Sequence, residues 1–92
     1  MVKITSMPEV YSLVDELREE CRRHRIERVT DALDNAMALG SSGLEILGAI
    51  RSVLVRERDN LVRVVDKKTA TAIDSVIEFA ASSFGESTNL GP

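Results

Sequence analysis

Cys21 and His24 are the only thiol and the only imidazole in the 92 residues, and they stand three apart in a stretch with helical patterning. Residues three apart on a helix share a face, so the pair could contribute two ligands to a metal ion. Zinc takes four protein ligands in a structural site, or three and a water in a catalytic one. A second copy of the chain or nearby carboxylates such as Glu20 would have to complete the set. The plainer reading takes Cys21 as a small buried apolar residue and His24 as the frayed end of a helix. As nucleophile or general base, either residue would need an activating partner and a pocket. The sequence points to neither, so no catalytic residue, no metal and no cofactor is expected.

Carboxylates are dense at Asp15, Glu16, Glu19 and Glu20, but they lie off the apolar stripe and have Arg partners three or four residues on. They read as a solvated helix face. Gly40-Ser41-Ser42-Gly43 precedes a helix start, where phosphate binds in nucleotide sites. A phosphate-binding loop of that type needs GxxxxGK[ST], and no Lys follows, so a helix–helix corner is the simpler assignment.

Arg18, Arg22 and Arg25 have the i, i+4, i+7 spacing of a basic ridge, and Arg51, Arg58, Lys67 and Lys68 follow downstream. Such ridges contact phosphates in nucleic-acid proteins. Against that use stand an isoelectric point near 5.1 and the lack of aromatic residues among the bases. Glu19, Glu20 and Glu27 also interrupt the run. The second and third helices resemble a helix-turn-helix only in outline. A recognition helix from Leu44 to Val55 would carry Arg51 as its single base. Nucleic acid is therefore not the expected partner.

The elements that hold these residues follow from composition and periodicity. Aromatics make up 3% of the chain and apolar residues 43%. The core must be aliphatic, which favours helices over a sandwich or barrel. No apolar run is long enough for a membrane span, and the start lacks the apolar stretch of a signal peptide. One cysteine cannot form an internal disulfide. A cytoplasmic protein is the expectation.

Residues 1–92 read as a single domain, with 1–5 a loose leader and 86–92 a disordered tail. Ser6-Met7-Pro8-Glu9 opens the first helix as a capping box. With Val10 at zero and 100° per residue, Leu13, Val14, Leu17 and Cys21 fall within about 60° of one line. Ile26, Val29, Leu33, Ala36 and Met37 form a second stripe roughly 130° away. One straight helix cannot bury both, so the spacing predicts a break near Arg23-His24-Arg25 and a second helix over 26–39. Gly40 suits a C-cap, and Ser42 to Glu45 caps a third helix. Asp59 or Asn60 is the expected cap of a fourth, which Gly85 ends. Two alternatives are a single helix over 44–84 and a strand at Leu61–Val65.

The fold class expected is all-α: a three- to four-helix up-and-down bundle, with dimerisation as a possible completion. Charge alternates in blocks, with residues 18–28 at +2 and residues 51–68 at +3 between acidic segments. Such blocks suit neighbouring helices that pair with each other or with a second copy. The apolar stripe of the last two helices is larger than a short bundle obviously needs. Ile46, Ile50, Val53, Leu54, Leu61, Val65 and Val76 are therefore read as an interface. The resulting functional expectation is a non-enzymatic protein-interaction module, acting as a homo-oligomer or on another protein. An alternative is an acidic immunity- or antitoxin-type inhibitor covering a basic toxin with Asp31, Asp34, Asp74 and Glu78. A DNA-binding regulator is the other alternative.

Overall fold

The computed structural model describes residues 4–39 and 42–83, and these form an all-α bundle. Its helices are α1 (Met7–Arg23), α2 (Glu27–Leu39), α3 (Gly43–Leu61) and α4 (Lys67–Ser83). Each packs on its neighbours in sequence, and α1 closes the ring against α4. Ion pairs report the register. Arg18 meets Asp34, Arg28 meets Glu57 and Arg58 meets Asp74, each pair straddling one corner as antiparallel neighbours do.

The two stripes out of phase are buried as the spacing requires. Val10, Leu13, Val14, Leu17 and Cys21 fill the core from α1, and Val29, Leu33 and Ala36 from α2. The break falls at His24-Arg25 and is a Schellman-type closure. The Ile26 amide donates to the Cys21 carbonyl at 2.8 Å, and the Arg25 amide to that of Arg22 at 3.2 Å. The geometry needs one left-handed residue, and here it is Arg25, at φ 59°. Glycine fits that region best, and a Cβ there costs about 1 kcal/mol. Arg25 takes the left-handed conformation itself, so the corner forms without a Gly or Pro to mark it in the sequence.

At the start of α1, Glu9 does the capping. Its Oε1 accepts from the Thr5 amide at 2.9 Å and from the Thr5 and Ser6 hydroxyls. Ile4, within the segment expected to be loose, is only 7% exposed and packs into the core. Ser42 caps α3 as expected, its Oγ accepting from the Glu45 amide at 3.3 Å. Gly40, Gly85 and the tail from 86 lie outside the described residues.

The last corner departs from the sequence reading. α3 continues through the polar stretch Arg56–Asn60 to Leu61, and α4 starts at Lys67 rather than near Leu61. The cap is Asp66, which accepts from the Thr69 amide at 2.8 Å, not Asp59 or Asn60. Leu61 stands seven residues after Leu54, on the same buried face, so ending α3 earlier would expose it. The segment Val62 to Val65, with three β-branched residues around Arg63, then makes the turn. The Leu61 carbonyl accepts from both the Val64 and Val65 amides. Neither a strand nor a continuous 44–84 helix is present there.

Leu61 has no solvent exposure. Leu61→Ala should cost about 3 kcal/mol in chemical denaturation, in the range for a buried leucine lost from a packed core. Leu61→Glu should give an unfolded circular-dichroism spectrum rather than a folded, dissociated chain.

Candidate functional site

The residues read as an interface lie mostly inside one chain. Ile50, Leu54, Leu61 and Val76 have no exposure, and Val53 has 6%. Ile46 and Val65 are half-buried against the same core. Once α2 covers α3 and α4 covers its other flank, the stripe that looked too large is used within the bundle. Two large apolar side chains among the described residues stay exposed, Leu44 at 54% and Val55 at 52%. They are eleven residues apart on α3, hence about 20° apart around the helix and about 16 Å along it.

Cys21 and His24 are not brought together. Cys21 is fully buried, and burial, with the charges of Glu20 and Glu57, pushes its thiol above the ordinary range. A thiol held protonated is a poor nucleophile and a poor ligand. His24 is exposed at the end of α1, with Nε2 3.7 Å from Glu20 Oε1. Among the described residues, no group of three His, Cys, Asp or Glu side chains is arranged to hold a metal ion.

Nor does the Arg18–Arg22–Arg25 ridge exist as a ridge, because α1 ends at Arg23 and Arg25 belongs to the corner. Arg18 Nε lies 2.7 Å from Asp34 Oδ1, an ion pair without hydrogen-bond alignment, and its Nη1 donates to Asp15 at 3.2 Å. Arg22 pairs with Glu19, and Arg23 with Glu20.

The four carboxylates suggested for covering a basic partner are also separated. Asp34 is engaged by Arg18, and Asp74 accepts both Nε and Nη2 of Arg58 at 2.6 and 2.9 Å. Asp31 lies with Asp34 on α2 and Glu78 with Asp74 on α4, helices on opposite sides of the ring. Glu78 lines an open cavity of about 340 Å³ beside Ile4, Thr5, Ser75, Phe79 and Ser82.

The sequence reading missed Glu57, the one buried charge among the described residues, whose side chain is 5% exposed. Its Oε1 accepts from Arg28 Nη2 at 2.7 Å and Asn60 Nδ2 at 3.1 Å. Its Oε2 accepts from Arg28 Nε at 3.2 Å and Arg56 Nε at 3.3 Å. Both oxygens are filled, which is how a buried carboxylate is tolerated. The Arg28 hydrogen bonds are the main reason its pKa is held down at about 2, with Asn60 and Arg56 adding to them against burial. A signal was available in retrospect: Glu57 is three residues after Leu54 and four before Leu61, on the apolar face of α3.

Antiparallel order then sets the surface charge. The corners 24–26 and 62–66 both lie at one end of the bundle, the N-terminal end of α2 and α4. Residues 18–28 and 56–68 flank them, each with five basic against three acidic side chains, and Asp15, Asp34 and Asp74 join them there through ion pairs to Arg18 and Arg58. Asp31 lies near the start of α2, at the same end. Glu9, Glu45 and Glu78 are placed toward the opposite end by their helix positions.

Fold and surface together define a small antiparallel four-helix bundle with two exposed apolar side chains on one face of α3. Comparisons with known protein families, with curated proteins and with solved structures find no match for the chain.

Glu57 gives a pH prediction with a definite sign. Its folded pKa lies below its ordinary value near 4.5, so its contribution is complete above pH 4.5. That contribution is lost as pH falls toward 2, and it amounts to about 3 kcal/mol. Denaturant titrations at pH 6 and pH 2.5 should show the native chain losing stability over this range. In Glu57→Gln the loss should be smaller by most of that amount. Equal losses in the two proteins would mean that Glu57 does not carry the acid sensitivity.

Proposed function

We propose that the chain is a non-enzymatic protein-interaction module that pairs with a second copy of itself through the outer face of α3. The observation that carries this reading is the exposed pair Leu44 and Val55, aligned on a face that no other helix covers. Gly48 lies between them on that face and adds no side chain, which favours close approach of a second helix. Antiparallel pairing would set Leu44 of one copy against Val55 of the other and bury both strips about a two-fold axis.

Such a module would act by surface complementarity alone. A cytoplasmic setting accords with a single, buried thiol and with the finding that no helix among the described residues is long and apolar enough to cross a membrane.

Light scattering at about 50 μM, within the range of weak to moderate self-association, tests the proposal. The expected mass is twice the 10.1 kDa of one chain. Leu44→Glu and Val55→Glu alter exposed positions, so each should return the single-chain mass while keeping the helical circular-dichroism spectrum and cooperative melting. A single-chain mass for the native protein would remove the proposal.

A further inference from the structure

We propose that the cavity between the Ile4–Thr5 segment and the last turns of α4 binds a primary alkylammonium group. The cavity holds about 340 Å³ and is lined by Ile4, Thr5, Ser75, Glu78, Phe79 and Ser82. That volume, near the lower limit of ligand sites, suits a small amine or the end of a longer one. Ser75, Glu78, Phe79 and Ser82 follow the i, i+3, i+4, i+7 spacing of one helix face, so α4 presents them together. The facing wall exists because Ile4 packs into the core and Glu9 holds Thr5 by its amide and its hydroxyl. None of these residues belongs to the outer face of α3, so the site is independent of pairing between two copies.

Each part of an alkylammonium finds a counterpart here. Ile4 and Phe79 supply an apolar wall for its methylene carbons. Its nitrogen has three N–H donors and no acceptor. The lining offers the hydroxyl oxygens of Thr5, Ser75 and Ser82 and the carboxylate of Glu78, and no basic side chain. Thr5 Oγ1 donates to Glu9 Oε1 at 3.0 Å, which leaves its oxygen able to accept. Glu78 is exposed and enters no ion pair or side-chain hydrogen bond among the described residues.

The surrounding charge stays negative when every neighbouring element is counted. Residues 4–17 contain Glu9, Asp15 and Glu16 and no base. Residues 69–83 contain Asp74 and Glu78 and no base, and Asp74 is taken up by Arg58 of α3. Lys3 and Glu86, next along the chain on either side, are equal and opposite, as are Glu45 and Arg51 of α3. Arg18 of α1 is engaged by Asp15 and Asp34. Lys68 stands seven residues before Ser75, about 10 Å down α4, in a cleft with Glu16 and Asp66. The helix ends act in the same sense. The carbonyl end of α4 favours a cation, and its last turn has no basic side chain. The N-terminus of α1 is met by Glu9 in its first turn.

The test is an amide NMR titration of the full chain with n-butylammonium chloride at constant ionic strength. Shifts should gather at Thr5, Ser75, Glu78, Phe79 and Ser82 and saturate in the millimolar range. Glu78→Gln, at an exposed position, should keep the remaining spectrum and weaken binding about fivefold, the upper end for an exposed charge pair. Glu45→Gln removes an acid at the same end of the bundle but outside the cavity, and should leave binding unchanged. Tetramethylammonium keeps the charge without N–H donors, and n-butanol keeps the alkyl chain without the charge, so both should bind more weakly. Equal binding of either would overturn the proposal. So would shifts scattered over the carboxylates of the whole chain, or binding that Glu78→Gln leaves intact. N-acetyl-lysine amide, titrated in the same way, assigns the source of the group. Tighter binding than n-butylammonium points to a lysine side chain of a protein partner, and weaker or equal binding to a free amine.

Discussion

The corner at His24–Arg25 constrains everything after it. Two apolar stripes roughly 130° out of phase must face one core, and only a change of helix direction allows that. The chain makes the change over three residues. The Schellman bonds at Arg25 and Ile26 satisfy carbonyls that the end of α1 would otherwise leave unpaired. The left-handed residue costs about 1 kcal/mol, small beside the burial of Val29 and Leu33 that it permits. Because the corner is so short, α2 is forced to run antiparallel to α1, and its first turn carries Arg28 to the same end as the close of α3.

Glu57 then ties that end together. A buried carboxylate contributes little net stability against a well-packed apolar residue, but it is costly in any arrangement that leaves it unpaired. Arg28 comes from α2, whereas Arg56 and Asn60 come from α3 itself. A slip of α2 along α3 by one turn would withdraw Arg28 and keep the charge buried. The aliphatic contacts between these helices would tolerate such a slip better, since Leu and Val side chains are not directional. Glu57 therefore fixes register where the core alone would leave it loose.

These two features mark how far the sequence could be read. The break at 24–26 was legible because phase is a property of the residues themselves, and so were Ser42 as a cap and the all-α class. The cap of α4 was not. Asp59, Asn60 and Asp66 are equally suitable by type, and only the burial of Leu61 and Glu57 decides that α3 must run past the first two. The expected interface was legible as an apolar stripe but not as belonging to core or surface. Ile50 and Val76 carry no mark of whether the helix that covers them comes from the same chain. The charged ridge failed for a related reason: the i, i+4, i+7 pattern assumes a helix that reaches Arg25, and the phase break ends it two residues earlier.

The alternating charge blocks acquire a different meaning once the chain is folded. In an up-and-down bundle, alternate corners lie at the same end. A pattern that repeats once per pair of helices is therefore not mixed by folding but sorted by it. The basic blocks 18–28 and 56–68 have their centres about one such repeat apart, so both fall at the end holding the corners 24–26 and 62–66. Cross-helix pairs such as Arg18–Asp34 and Arg58–Asp74 use some of this charge for register. Asp34 and Asp74 lie outside the two blocks, so each of these pairs takes up one base of its block's excess of two. Folding thus gathers the bases of two distant blocks at one end and sets most of them against carboxylates there, so the blocks work as register-setting pairs between and along helices.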